Sequence, residues 1–289
     1  MTGNTGNTGN TGNTGNTGNT GNAGNIGNPG GSWTFADRSN FPLVVDLDTT
    51  PEAMLHSDHR FSDRAWGAYW FGWLAMIEFT QKVRCQDIQL EPPDLTKTSG
   101  EIADLIRLAR LERSDALNEI FSQKDEFLSH FMALLGASPH SHPNTHRVLY
   151  AASHIGMFMS MYYKGQYSRA RPGQLCPALL PPTQAPGHSS YPSGHATQAH
   201  LMALCVTEAL PGEIRIMMAG NLKRLAHRIA RNREIAGLHY ESDSQAGETL
   251  AKNTFNALQR SQLVRLSRAV EAAQKEWRQD DASSVTDKP

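Results

Sequence analysis

The chain has 289 residues, of which 39% are hydrophobic and 19% charged, and a formal net charge of -1. That near-neutral balance excludes a global field for nucleic acid or an anionic membrane surface, so any anion site must be local. Beyond the N-terminal repeat about 250 residues remain, enough for one large hydrophobic core.

Thr-Gly-Asn triplets run from Thr2 to Asn22 and degrade through Ala23-Gly24-Asn25 and Ile26-Gly27-Asn28 to Pro29-Gly30-Gly31. Glycine at every third position evokes a collagen-like chain, but Pro29 is the only proline before Gly31, and that helix needs abundant proline. Residues 1–31 therefore read as a disordered tail without a catalytic role. Next, Leu43-Val44-Val45-Asp46-Leu47-Asp48-Thr49-Thr50 resembles the nucleophile strand of haloacid dehalogenase-type phosphatases. Such enzymes need alternating strands and helices, whereas the chain beyond Thr50 has a helical pattern, so Asp46 and Asp48 read as turn residues after a short extended segment.

Ser62 to Val83 reads as a buried aromatic helix, and its most apolar part, Ala65 to Phe79, is shorter than the ~20 residues a membrane span needs. Thr98-x-x-Glu101 predicts a capping box, followed by an apolar stripe of Ile102, Leu105, Ile106, Leu108 and Leu111. A second helix is expected from about Ser114 to Leu135, ended by Gly136. Another starts at Asn144, with Val148, Leu149, Ala152, Ile155 and Met159 on one face, and delivers Lys164 at its end. Further helices are expected over Ala196–Leu210, Glu213–Ile235 and Glu241 to about Trp277. The fold class is all-α, a compact multi-helix bundle spanning residues 32–278 with the active site in its core, and a disordered tail over 279–289.

Three clusters carry the chemistry: Lys164 with Arg171-Pro172, then Tyr191-Pro192-Ser193-Gly194-His195, then Arg233 with His239 and Asp243. Phosphoryl transfer is mostly positioning plus neutralisation of charge on equatorial oxygens. Lys164, Arg171 and Arg233 supply that charge, arginine through a planar fork that does not titrate away. Pro192 and Ser193 look like a helix start, where unpaired amides carry partial positive charge and Gly194 lets the backbone approach an anion. Ser193 adds a hydroxyl, and His195 stands at the mouth of the site, placed to protonate a leaving oxygen. His239 and Asp243 are four residues apart. If that segment is helical they share a face, and the Asp fixes the imidazole tautomer, leaving a nitrogen lone pair to attack phosphorus. Gly237 breaks the preceding helix and turns the chain toward the site.

These clusters resemble the signature of the type-2 phosphatidic acid phosphatase and vanadium haloperoxidase superfamily, Lys-x6-Arg-Pro, Pro-Ser-Gly-His and Ser-Arg-x5-His-x3-Asp. Order and spacing match from Lys164 to Asp243, with Asn232 in place of the usual Ser. The resemblance implies a mostly helical bundle in which His195 is the general acid and His239 is transiently phosphorylated. Tyr167 and Arg169 inside the first cluster resemble the soluble bacterial nonspecific acid phosphatases. In the bromide-oxidising haloperoxidases of the superfamily an extra His precedes the second-cluster His by seven residues, and His188 occupies that place. Expected, then, is a metal-independent phosphomonoester hydrolase without a cofactor. The alternatives are a haloperoxidase holding vanadate in the same oxyanion site and a catalytically silent scaffold.

The remaining features bound the surroundings. The proline-rich loop from Gly173 to Ser190 is a candidate rim that selects substrate. His140, His142 and His146 could attract zinc, but no carboxylate or cysteine supports them locally, and no metal is expected. Lys223-Arg224 to Arg231 lacks interleaved aromatics and reads as a solvated helix face, so no nucleic-acid partner is expected. Cys85, Cys176 and Cys205 are too few and scattered for a disulfide framework. No positive n-region with an apolar h-region appears, so the chain as written reads as cytoplasmic, or periplasmic if its true start differs. The expected partner is a small phosphate ester; oligomeric state and substrate identity are left open.

Overall fold

The computed structural model describes residues 61–63 and 65–283, the last five without their side chains. The triplet repeat, the Leu43–Thr50 stretch with Asp46 and Asp48, and residues 284–289 lie outside the described residues. The chain divides at Gly67, and the unit from Ala68 onward carries the helices and the site.

Among the described residues the chain forms α-helices and short helical turns, with no strand, as an all-α fold requires. The helices are α1 (Ala68–Lys82), α2 (Thr98–Leu111), α3 (Arg113–Ser122), α4 (Leu128–Leu134), α5 (Pro143–Tyr167), α6 (Gly194–Ala209), α7 (Gly212–Ile235), α8 (Glu241–Ser261) and α9 (Val264–Ser283). Two short helical turns, Pro172–Leu175 and Pro177–Leu179, interrupt the loop between α5 and α6.

Helix α6 is the centre of the bundle, packed by α5, α7 and α8, with α9 also touching it. It is buried on every side, from Ala196 and Ala199 to Leu201, Met202 and Val206, as expected of a helix whose apolar residues do not form a single stripe. Its alanines keep the neighbours close, and α8 comes closest at Gly247. A Cβ there would lie 2.7 Å from Ala196 Cβ and 2.8 Å from the Ser193 carbonyl oxygen. A smaller core formed by Leu105, Leu108, Ile120, Leu179, Ile235, Leu238 and Tyr240 packs α2 and α3 against the α7–α8 link. Each large side chain there contributes about 1.5–3 kcal/mol through burial.

Several helix boundaries differ from expectation, each for a tertiary reason. The Ala65 N–H donates to the Ser62 carbonyl at 2.9 Å in a turn, and α1 starts only at Ala68. It also buries only one face, through Phe71, Ala75 and Phe79, while Trp70, Trp73 and Ile77 are exposed. The helix expected over 114–135 is broken at 123–127, where the Glu126 carboxylate takes the Ser129 N–H and starts α4 afresh. The helix expected from Glu241 to Trp277 is broken at Gln262, which has φ +49°. There Lys82 Nζ donates to the Gln262 carbonyl, and Glu78 accepts the Val264 and Arg265 N–H groups at 2.7 and 3.0 Å.

Glu276 of α9 does the same for α5, accepting from the Asn144 and Thr145 N–H groups at 2.7 and 3.0 Å. The Thr98/Glu101 capping box is not formed, because Glu101 instead accepts the Ser242 N–H at 2.9 Å and caps α8. Three helix N-termini are thus held by glutamates from other helices, where a carboxylate also complements the helix dipole. Cys85, Cys176 and Cys205 are unpaired. No helix among the described residues is long and apolar enough to cross a membrane.

Candidate active site

The third cluster is built by the end of one helix and the start of the next. Helix α7 stops at Ile235, Gly237 at φ +74° turns the chain, and His239 lies in the link before α8. His239 and Asp243 therefore do not share a helix face. They meet because Asp243 occupies the first turn of α8, where Oδ2 accepts the Tyr240 N–H at 3.1 Å and faces His239 Nδ1 at 3.1 Å. Ser190 Oγ donates to the same oxygen, and Arg169 Nη1 donates to Oδ1 at 2.8 Å.

Burial pushes the Asp243 carboxyl up, but the hydrogen bond from His239 and the Arg169 charge reverse that and hold it below its ordinary value. An ionised carboxylate only accepts, so the His239 proton sits on Nδ1 and the lone pair on Nε2. Burial lowers the His239 pKa to about 3, with the Lys164 and Arg171 charges adding to it against the pull of Asp243. The imidazole is therefore neutral at neutral pH, with its lone pair on Nε2.

The cations come from three places. Lys164, in the last turn of α5, donates through Nζ to the carbonyls of Ser189 and Ser190 at 2.7 and 2.8 Å. Arg171, just before the Pro172–Leu175 turn, donates through Nε to the His188 carbonyl at 2.8 Å and through Nη1 to the Leu238 carbonyl at 2.9 Å. Its Nη2 lies 3.1 Å from His188 Nδ1, so His188 accepts there and its half-buried ring orients the arginine.

Arg233, in the last turn of α7, is 1% exposed. It donates through Nη2 to the Ile120 carbonyl at 2.7 Å, while its buried Nε has no hydrogen-bond partner. Burial lowers Lys164 to about 7, with Arg171 adding to that, and lowers Arg171 and Arg233 to about 10 each. Among the described residues no carboxylate forms an ion pair with any of the three.

The second cluster meets these cations at the α6 N-terminus. Ser193 is the N-cap, its Oγ accepting the Ala196 N–H at 3.3 Å and its own N–H donating to the Asp243 carbonyl at 2.9 Å. A Cβ on Gly194 would lie 3.9 Å from Lys164 Cε, so the first amides of α6, which have no intrahelical acceptor, stand beside the ammonium stem. His195 Nε2 lies 3.0 and 3.2 Å from the carbonyls of Gln123 and Lys124 and therefore carries the proton. Its ring stacks on Phe127 at 5.0 Å. Burial, then the Arg233 charge, lowers its pKa to about 3. His195 in this state is neutral, with its Nε2–H directed at those two carbonyls.

Two supporting residues carried weaker signals. Arg169 bridges Asp243 and Glu101, with Nη2 2.7 Å from Glu101 Oε2, and lies 3.8 Å over the Tyr240 ring. Its place inside the first cluster was the sole hint. Arg113 had none: it donates through Nε to the Ile235 carbonyl at 2.9 Å and through Nη1 to the Leu179 carbonyl at 2.8 Å. It fastens the proline-rich loop to the end of α7. The last residues of that loop, 188–190, form a wall bonded to Lys164, Arg169 and Arg171.

The other candidates separate from the site. His142 packs against Trp277 at 4.0 Å and His146 against Tyr150 at 5.0 Å, both as core residues. Along α7, Arg228 pairs with Glu119 and Arg231 with Glu112 and Glu234. Asn232 donates to Glu119 at 2.9 Å and to Gln123 at 2.8 Å, tying α7 to α3. No protein-family model matches the chain, and no curated protein matches it either.

Proposed function

We propose that the chain is a metal-independent phosphomonoester hydrolase acting through a phosphohistidine on His239. The observation that carries this reading is the set of Lys164, Arg171 and Arg233, three buried cations with no carboxylate partner, the first two acting on neutral His239 and Arg233 acting on His195. Burying charge without a counter-charge is costly. A phosphate dianion supplies that counter-charge and a partner for Arg233 Nε. The same donors fit any tetrahedral or trigonal-bipyramidal oxyanion, held further by Ser193 and the amides of Gly194 and His195 at the helix N-terminus.

In the proposed reaction His239 Nε2 forms a bond to phosphorus as the bond to the ester oxygen breaks. The leaving oxygen takes a proton from His195. A bound dianion neutralises Arg233 and Lys164, the charges that together with burial keep His195 deprotonated. Substrate thus raises the pKa of its own acid. Water then attacks the phosphohistidine, with His195 taking its proton, and His239 is released as the neutral tautomer that Asp243 holds.

A second reading, vanadate-dependent halide oxidation, uses the same cage, and His188 at the site wall is what favours it. The contact of His188 with Arg171 serves either chemistry.

The purified chain is expected to hydrolyse p-nitrophenyl phosphate at mildly acidic pH without added metal, with vanadate inhibiting. Undiminished hydrolysis by His239→Ala refutes the nucleophile assignment. Sustained bromination with vanadate and peroxide, alongside negligible hydrolysis, selects the haloperoxidase reading. Neither activity from a folded chain leaves the scaffold.

A further inference from the structure

His200, His227 and Glu248 come from α6, α7 and α8, the helices that also bear His195, Arg233 and Asp243. Their ligand-capable atoms all lie within 4.8 Å of one another. His200 is 5% exposed, and its ring meets that of His227 edge-on, centroids 4.6 Å apart, with no hydrogen bond to either ring nitrogen among the described residues. His227 Nε2 faces Glu248 Oε2 at 3.8 Å, too long for a hydrogen bond. Two imidazoles and a carboxylate oxygen therefore converge on one point without hydrogen-bonding one another.

We propose that His200, His227 and Glu248 bind a divalent cation of the zinc class, with water as the fourth ligand, clamping the three helices that carry the site. Two neutral imidazoles and one carboxylate oxygen are a borderline-soft set suited to zinc. Tetrahedral ligands about 2.0–2.1 Å from zinc are roughly 3.4 Å apart. Contraction by about an ångström therefore completes the site, and His227, exposed, is free to provide it.

Two cations face the cluster. Lys252 Nζ pairs with Glu248 Oε1 at 2.7 Å, which leaves Oε2 to the metal, and Lys223 lies one turn before His227 on α7. They weaken the site without occupying it. His200 follows His195 by five residues, Glu248 follows Asp243 by five, and His227 precedes Arg233 by six. At a 1.5 Å rise the metal sits roughly 7.5–9 Å along the helices from the phosphate cage. It would therefore hold those helices and take no part in the chemistry.

The test is direct and independent of any hydrolytic activity. Untagged full-length chain is stripped with a chelator and titrated with zinc chloride by calorimetry, with cobalt(II) absorption reporting tetrahedral geometry. One saturable equivalent is expected, with Tm raised by roughly 5–10 °C at about 100 times Kd. His200→Ala and His227→Ala should each lose that equivalent, and Glu248→Gln should weaken it at least about tenfold, while His140→Ala leaves it intact. Because His227 is exposed, its replacement separates lost ligation from lost folding. Absence of saturable binding, binding that survives the His200→Ala/His227→Ala double substitution, or loss of the equivalent in His140→Ala overturns the proposal.

Discussion

Arg169 Nη1 lies 2.8 Å from Asp243 Oδ1 in an interior where the arginine side chain is 2% exposed and the aspartate fully buried. Through that contact the first cluster holds the carboxylate that orients the His239 ring. Glu101 closes the arrangement by accepting from Arg169 Nη2 and from the Ser242 N–H.

Arg169→Met keeps much of the side-chain volume but strips a buried carboxylate of its charge partner, so stability should fall by about 3–5 kcal/mol. In whatever folds, kcat should fall more than KM rises, because substrate contacts remain while His239 loses its orienter. Thermal denaturation and p-nitrophenyl phosphate kinetics read both. An unchanged Tm together with an unchanged kcat would rule out this role.

Lys164 titrates near 7 because it is buried beside Arg171. Above that pH the free protein loses one of its three site cations, so inhibition by an oxyanion should weaken as pH rises through about 7. Tungstate is suited to the measurement because it stays dianionic from pH 6.5 to 9. Arg233→Met, lacking a charge that titrates only near 10, should bind tungstate poorly at every pH. A flat profile for the unsubstituted chain would contradict the placement of Lys164.

Two histidines are held neutral in the folded chain at pKa values of about 3, His239 and His195. Their unfolded value is about 6.5. Between those limits the unfolded state binds more protons, so their contribution is complete above about pH 6.5 and is lost as pH falls toward 3. Each adds a slope of up to about 1.4 kcal/mol per pH unit. Urea unfolding between pH 4 and 7 should show this slope, and His239→Asn should reduce it by about one proton.

Gly247 admits no side chain where α8 crosses α6, since a Cβ would meet Ala196 Cβ at 2.7 Å and the Ser193 carbonyl oxygen at 2.8 Å. Gly247→Ala should cost about 1–3 kcal/mol through overpacking. It should also lower activity beyond what the stability loss explains, because the shifted helix carries Asp243 away from the Ser193 N–H. Residual activity at full stability would show that the two helices tolerate separation.

Features read locally were legible in the chain. Gly136 and Gly237 both take positive φ where helices were expected to end. Helix α5 opens at Pro143, one residue before the expected Asn144, and the Val148, Leu149, Ala152, Ile155 and Met159 stripe is buried. Ser193 caps α6 as its sequence suggested. Each rests on a preference of one residue or one face, which needs no distant partner.

What failed were signals that another part of the molecule overrides. Glu101 abandons its local capping box for Ser242 and Arg169. The 114–135 helix yields at Gln123 and Lys124, whose carbonyls accept the His195 Nε2–H. Gln262 breaks a helix without being glycine, because Glu78 and Lys82 of α1 hold both sides of the break.

By itself the sequence determined an all-helical chain and offered a candidate oxyanion cluster: three cations, two histidines and an aspartate. Only the tertiary structure decided that Lys164, Arg171 and Arg233 are buried without carboxylate partners, that Asp243 is held by Arg169, and that His195 is neutral. Charge and helical period are properties of a residue and its near neighbours. Desolvation and pairing depend on which distant groups packing brings together, and they set protonation and strength.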